Sequence, residues 1–333
     1  MTETASLAEV AASAGVSVAT ASKALNNRPR VSSETRERVV TAAARLGYVP
    51  RHGVRRFKLG GTVGIIASDL AGRFALPIMM GAEDAFGLGA VSVVMCDARG
   101  DEIRERHHLR ALVDRHVDGI IVLGSISTER TSLKGMFDVP LVYAYAPSSD
   151  PEDTSVDASH EQAGVMAAEH LVQSGATKVG IIAGDPRVRA TVARSNAARE
   201  YLAGAGVEVV GGIVHAGTYS ETWGRTAARA MIERAPDIDG FLCGNDQVAR
   251  GVLDVLRDLG WDVPARARVI GHDNWTDMVE GARPALTSID MHLGQLGRLS
   301  AELLLRAIDG DQQPGVHRVE PSLVVRGSTM RTD

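Results

Sequence analysis

The chain has 333 residues, 44% of them hydrophobic and only 4% aromatic, with Ala, Val, Gly and Leu abundant. That length exceeds one small core, so two or three domains are expected, and the composition favours helices packed on Val/Ile strands over an all-β sandwich. The formal charge of −5 hides an asymmetry: residues 1–60 hold ten Lys/Arg against four Asp/Glu, and the rest holds 26 against 37. A basic head on an acidic body is the footprint expected when only the head meets phosphates. The two cysteines, Cys96 and Cys243, lie far apart without metal-ligand spacing. They fit a reduced compartment, and neither metal nor cofactor is expected. The stretch MTETASLAEV has no basic or apolar signal region, and no apolar run is long enough to span a bilayer. The expectation is a cytoplasmic chain with no membrane partner.

The first periodic segment runs from Ser6 to Ala14. Ser6 and Glu9 have capping-box spacing, and Leu7, Val10, Ala11 and Ala14 share one face. Gly15 ends the helix, because left-handed backbone is cheap only at glycine. Val16 is an apolar plug and Ser17 a second cap. The pattern Ala-x-x-x-Gly-Val-Ser over residues 11–17 is that of a tight helix-turn-helix, although an ordinary αα-hairpin shares it. A second helix is expected from about Val18 to Asn26, and a third from about Ser33 to Leu46 with Val39, Ala43 and Leu46 inward.

The stretch LAEVAASAGVSVATASKALNNRPRVSSETRERVVTAAARLGYVP resembles the head of the LacI/GalR family of bacterial repressors. That resemblance implies base contacts by Val18, Ala19 and Lys23. Lys23 suits guanine O6/N7, and Val18 suits a thymine methyl or else packs on the first helix. It implies phosphate contacts by Ser17, Thr20, Ser22 and Asn26, which position the head without reading sequence.

Residues 51–61, RHGVRRFKLGG, form a short basic link. Read from composition it is a solvated linker, since so short a helix is marginal in water and Gly53 weakens it by about 1 kcal/mol. The resemblance implies instead a hinge that folds on DNA and enters the minor groove through Val54, Arg55 and Phe57, with Phe57 as the wedge. Phe57 stands where relatives carry Leu, Val54 where they carry Ala, and Gly53 is also unusual.

From Thr62 apolar strands alternate with helices. Strands are expected at 63–68, 91–96, 119–123 and 141–145, with helices at 74–87 and 102–116. A second series has strands at 178–183, 207–214, 240–243 and 268–271, and helices at 161–174, 189–203, 222–234 and 247–259. Such repeats imply parallel sheets covered on both faces, with ligands at the carboxyl ends of strands. Asp118-Gly119-Ile120-Ile121, AAEHLVQSG at 167–175, CGNDQVARG at 243–251, VIGHDN at 269–274 and PSLVVRGST at 321–329 make the body similar to the periplasmic-binding-protein-like sensor of the same family.

The fold class is therefore an all-α helix-turn-helix head joined to an α/β body of two doubly wound parallel-sheet lobes. The expected divisions are a head at 1–50, a hinge at 51–61, one lobe from 62–160 with 291–320, and the other from 161–290 with 321–333. A helix from about His292 to Asp309 returns to the first lobe. By resemblance Arg194 binds the effector's polar groups, Tyr219 stacks on it, and Asn245 and Asp273 hydrogen-bond it. Asp69, Phe74 and Tyr145 hold the matching first-lobe loops. A guanidinium, paired acceptors and an aromatic plate suit a hydroxyl-rich ligand such as a sugar. Asn245 has a loop role and Tyr145 a packing role as alternatives. Asp246 is expected to cap the helix that follows it. Arg73 either faces the cleft, where it favours an anionic effector, or points to solvent. A frequent family Gln is Met291 here.

The chain carries no P-loop, no His-Glu-x-x-His, no Gly-x-Ser-x-Gly and no Gly-x-Gly-x-x-Gly after the first strand. His107-His108 and His160-Glu161 read as helix-surface residues. An enzyme or a pure solute-binding protein on the same body is the alternative, because fold does not fix function. The expected reading is a regulator that is not an enzyme: a homodimeric repressor on a palindromic double-stranded operator, controlled by a small-molecule effector. No apolar heptads follow the sensor, which favours a dimer over a coiled-coil tetramer.

Overall fold

The computed structural model describes residues 7–25, 32, 35, 38–39, 41–43, 61–70, 72–87 and 91–330. The chain divides into two compact units, Met1–Leu59 and Gly60–Asp333.

In the first unit α1 (Leu7–Ala14) and α2 (Val18–Leu25) flank a tight turn. Gly15, at φ +62°, donates to Ala12 O, and Val16 N reaches back to Ala11 O. These two bonds close a Schellman end that satisfies carbonyls left over by α1. The Ser17 hydroxyl then accepts from Thr20 N at 3.1 Å and starts α2. Ser32 repeats that cap with Thr35 N at 3.2 Å. Val10, Ala11, Ala14, Ala21, Ala24, Val39, Ala42 and Ala43 form the core, with Val16 packed on it. Small side chains let α1 and α2 approach closely with Val39, Ala42 and Ala43 packed on them, which is how so small a unit fills its interior. Ser6 of the expected capping box lies outside the described residues.

The second unit holds two six-stranded sheets. The first contains β1 (Gly61–Ala67), β2 (Val91–Asp97), β3 (Gly119–Leu123), β4 (Leu141–Ala144), β5 (Thr154–Ala158) and β11 (Gly315–Val319), in the order β2-β1-β3-β4-β5-β11. The second contains β6 (Lys178–Ala183), β7 (Glu208–Ala216), β8 (Gly240–Cys243), β9 (Arg268–His272), β10 (Thr287–Asp290) and β12 (Ser322–Val324), in the order β7-β6-β8-β9-β10-β12. The helices between them are α3 (Ala75–Phe86), α4 (Glu102–Asp114), α5 (His160–Gln173), α6 (Arg189–Gly204), α7 (Glu221–Arg234), α8 (Asp246–Asp258), α9 (Thr276–Val279) and α10 (Leu293–Ile308). Every pairing is parallel except β10 with β12, which is antiparallel. Central strands such as β3, GIIVL, are buried along their whole length, as a parallel strand covered on both faces must be.

Four strands escape the apolar pattern: β5, β10, β11 and β12. The β5 sequence TSVDA is wholly buried yet mostly polar. Its Thr154 hydroxyl donates to Gln313 O, Ser155 accepts from Ser148 N, and Asp157 accepts from Ser127. Each buried polar group is satisfied by a partner distant in sequence or in a loop, so no local periodicity marks the strand. The chain leaves the first sheet after β5, enters α5, and stays with the second sheet through β10. It then returns as α10, which packs along α3, adds β11 to the first sheet, and crosses back to β12. Glycines set the closeness of α3 and α10. A Cβ on Gly81 would lie 1.9 Å from Gly294 O, and one on Gly297 would lie 1.8 Å from Ile78 O.

Candidate functional site

On the head, Val18 is 48% exposed and so does not pack into the head core. Lys23 is exposed on the same helix, and Thr20 is half-buried. The Ser17 hydroxyl lies 2.8 Å from the Thr20 hydroxyl as well as capping α2. Ala19 and Ser22 belong to α2, but their side chains lie outside what is described. Asn26 and the hinge residues Val54, Arg55 and Phe57 also fall outside the described residues.

In the α/β unit, Asp69, Phe74, Tyr145, Arg194, Tyr219, Asn245 and Asp273 all line one cavity of about 670 Å³. Five of them follow the carboxyl end of a strand: Asp69 after β1, Tyr145 after β4, Tyr219 after β7, Asn245 after β8 and Asp273 after β9, while Phe74 stands at the N-cap position of α3 and Arg194 lies within α6. Parallel strands all end on the same side, so their loops converge there with backbone amides and helix starts. Tyr145 and Asp273 have φ of +65° and +97°, and the neighbouring Asn274 has +48°. Non-glycine residues in this region are strained, and such strain concentrates where a site needs a particular side-chain direction.

The second-sheet side is polar and tightly bonded. Arg194 donates to the Tyr219 hydroxyl at 3.1 Å, and Tyr219 also contacts Thr191 Oγ1 at 2.5 Å. The Tyr219 ring lies on Gly184, where a Cβ would sit 2.2 Å from Cζ, so only glycine admits it. Asn245 caps α8 by accepting from Val248 N at 2.9 Å. The expectation that Asp246 caps that helix is therefore wrong. Asp246 is buried inside the first turn, where its carboxylate accepts from Ser288 Oγ at 2.6 Å and from Trp275 N at 2.7 Å. Burial pushes its carboxyl up to about 7, with the Asp273 charge adding to the shift.

The first-sheet side is aromatic. Phe74 stacks on Tyr145 with centroids 5.0 Å apart. Burial raises the Tyr145 phenol far above its usual range, so it is a neutral donor there. Arg73 does not point to solvent. Its guanidinium pairs with Asp273 from the other side of the cavity. Asp273 is nonetheless raised, because burial outweighs the Arg73 and Arg194 charges.

Residues missed in the sequence join these walls. Trp275, Ser127 and Gln247 line the cavity. His160 is a second correction, being buried rather than on a helix surface. Ser127 donates to Asp157 at 2.8 Å, so at 2.7 Å the His160 Nε2–H donates to Ser127. That tautomer leaves Nδ1 free to accept from Arg194 at 3.2 Å. Burial lowers the His160 pKa, which keeps the ring neutral as this arrangement requires. The one signal for Trp275 was its place two residues past Asp273. His160 had none, since the Ser127 and Arg194 groups that bond its ring come from other segments. Among the described residues, no group of three or more His, Cys, Asp or Glu could hold a metal ion, and no helix is long and apolar enough to cross a membrane.

A helix-turn-helix unit together with an α/β unit that gathers polar and aromatic side chains at its strand ends defines a DNA-binding transcriptional regulator. The family model for bacterial regulatory proteins of the lacI family matches residues 6–51, and the model for a periplasmic binding protein-like domain matches residues 168–329. The HTH-type transcriptional regulator CelR of Thermobifida fusca is 33% identical, with 96% of each chain covered. Catabolite control protein A of Priestia megaterium is 28% identical over 94% of this chain and 96% of that one. Among solved structures, a transcriptional regulator CelR–cellobiose complex matches at 31% identity with a TM-score of 0.68, covering 97% of this chain and 99% of that one. A lac repressor dimer bound to operator and the anti-inducer ONPF matches at 25% identity and a TM-score of 0.68, covering 99% and 100%. The chain belongs to the lacI family of bacterial regulatory proteins.

Proposed function

We propose that the protein is a cytoplasmic homodimeric repressor whose affinity for a palindromic operator is set by a sugar-like effector held in the 670 Å³ cavity. The observation that carries this reading is the convergence of Arg194, Tyr219, Asn245 and Asp273 with Phe74 and Tyr145 around that one cavity. Directional donors and acceptors opposite an aromatic face suit a ring that carries hydroxyls. In this reading 62–160 with 291–320 and 161–290 with 321–333 are the sensor lobes, and 51–61 is the hinge. Val18, Ala19 and Lys23 read bases. Ser17, Thr20, Ser22 and Asn26 hold phosphates, and Val54, Arg55 and Phe57 enter the minor groove. The effector changes the angle between lobes, and with it the spacing of the two hinges.

The protein is not an enzyme in this reading. The Ser127, His160 and Asp157 side chains lie together, but the Ser127 proton is committed to Asp157 and the His160 Nε2–H to Ser127. The imidazole therefore donates to the hydroxyl instead of accepting its proton, the reverse of the arrangement by which a histidine activates a nucleophilic serine. The test is a thermal-shift screen of sugars, sugar phosphates and nucleosides, followed by operator binding with and without the hit. A ligand that raises the unfolding temperature and changes operator affinity is expected. Equal effector affinity with and without operator removes the coupling. Lys23→Ala should weaken operator binding by about 1–3 kcal/mol and relax preference at one base pair. A uniform loss across sequences would assign Lys23 to phosphate.

A further inference from the structure

Arg73 lies in a slot. Its guanidinium carbon is 4.6 Å from the Phe74 ring centroid on the first-sheet side and 5.2 Å from the Trp275 ring centroid on the second-sheet side. Nη2 is tied to Asp273, while Nη1 is buried with no hydrogen-bond partner. Beyond this plate lies another cavity, of about 680 Å³, whose walls include Leu70, Leu76, Pro77 and Leu293, with Asp290 and His292. It shares Gly72, Arg73, Phe74, Asp273 and Trp275 with the cavity already described. Those five residues form the partition, and the Arg73–Asp273 pair closes it.

We propose that the outer cavity is a second ring subsite of the same cleft, and that Arg73 is a plug which a two-ring sugar displaces. The proposal rests on the reading of the inner cavity as a site for a hydroxyl-rich ligand. A gap between two aromatic faces that admits a flat guanidinium also admits the apolar face of a pyranose. The plug is imperfectly held, because a buried charged donor without an acceptor is costly. Its removal also frees Asp273 to accept from a hydroxyl, so the ligand gains an acceptor that the empty cleft keeps occupied. Apolar walls then take the ring face, while Asp290 and His292 are available to its edge hydroxyls. Arg73 in this account determines ligand length rather than ligand charge. The two carboxylates of the outer walls, Asp273 and Asp290, disfavour an anion there.

The experiment is calorimetric titration of the full chain with matched one-ring and two-ring sugars: glucose against cellobiose and maltose, galactose against lactose and melibiose. At least one two-ring sugar should bind tenfold or more tightly than its single ring. Leu76→Trp, at an exposed position that tolerates a larger side chain, should fill the outer cavity and bring that sugar down to the one-ring affinity. Trp275→Ala should do the same by removing one wall of the slot. Arg73→Ala should raise two-ring affinity several-fold. If one-ring and two-ring sugars bind alike and these variants leave them alike, the outer subsite is overturned while the effector reading stands. If none of the six sugars binds, both are overturned.

Discussion

The two halves of the α/β unit share one strand order, yet their last strands run in opposite senses. In the first half β11 lies parallel to β5, reached through the long crossover of α10. In the second, β12 lies antiparallel to β10, reached from β11 through only Glu320 and Pro321. Because β11 runs parallel to β5 it ends at the carboxyl edge of the first sheet, and the short link brings β12 into the second sheet opposite Asp290, where β10 ends, so β12 runs back antiparallel. The difference shows that the edge of the sheet at which the chain enters, rather than strand sequence, decides the sense of the edge strands. The cleft repeats the contrast in side chains. The second half presents a hydrogen-bonded set fixed by Gly184, Asn245 and Asp246, and the first presents a stacked aromatic pair and an arginine paired across the cavity with Asp273. The polar wall is expected to set affinity through fixed donors, and the aromatic wall to set shape.

The largest effect tests whether the halves are built alike. Gly297→Ala, which drives a methyl into the Ile78 carbonyl, should destabilise the protein by about 3 kcal/mol or more in urea unfolding. Gly224→Ala, whose Cβ would meet Val248 O at 2.2 Å in the other half, should cost a similar amount. Two separate transitions, each moved by only one substitution, would mean that the halves unfold independently. Next comes the polar wall. Arg194→Ala should weaken the effector roughly 100-fold, the scale of lost charge-assisted hydrogen bonds in a buried site. Ligand calorimetry checks this, and an unchanged affinity would move recognition to the aromatic wall.

The third effect is pH-dependent. Asp246 holds its proton to about pH 7 when folded but releases it near the ordinary carboxylate value when unfolded. Between those values the native chain binds more protons than the unfolded one, so its carboxyl makes stability fall as pH rises. The slope is about 1 kcal/mol per pH unit from roughly pH 4 to 7, and level above. In Asp246→Asn the amide oxygen still accepts from Trp275 N and the NH₂ donates to Ser288 Oγ. That variant should gain on the parent protein as pH rises from 5 to 7. Parallel urea midpoints at both pH values would show instead that the carboxylate is charged throughout. The smallest effect is on the aromatic wall: Phe74→Ala should weaken the effector by about 1 kcal/mol, the scale of one stacking contact. A loss exceeding that of Arg194→Ala would invert the contrast between the two walls.

Much of this was legible in the sequence. Gly15, Val16 and Ser17 encode the turn of the head, because a helix end and a cap are settled within five or six residues. The apolar runs of β1, β3, β6 and β8 announce buried parallel strands for the same reason. Strand ends, which the runs themselves locate, mark the loops of Tyr219 and Asp273, whereas Arg194, within α6, was reached only through the family resemblance. Tertiary structure alone decided the rest. It gave β5 its polar interior, set Asn245 rather than Asp246 at the helix cap, buried His160, and closed Arg73 on Asp273 across 200 positions of chain. Apolar burial and capping are local, so they leave a periodic trace. A buried polar group is defined by the partner that satisfies it, and where that partner lies in a distant segment no pattern in the sequence can name it.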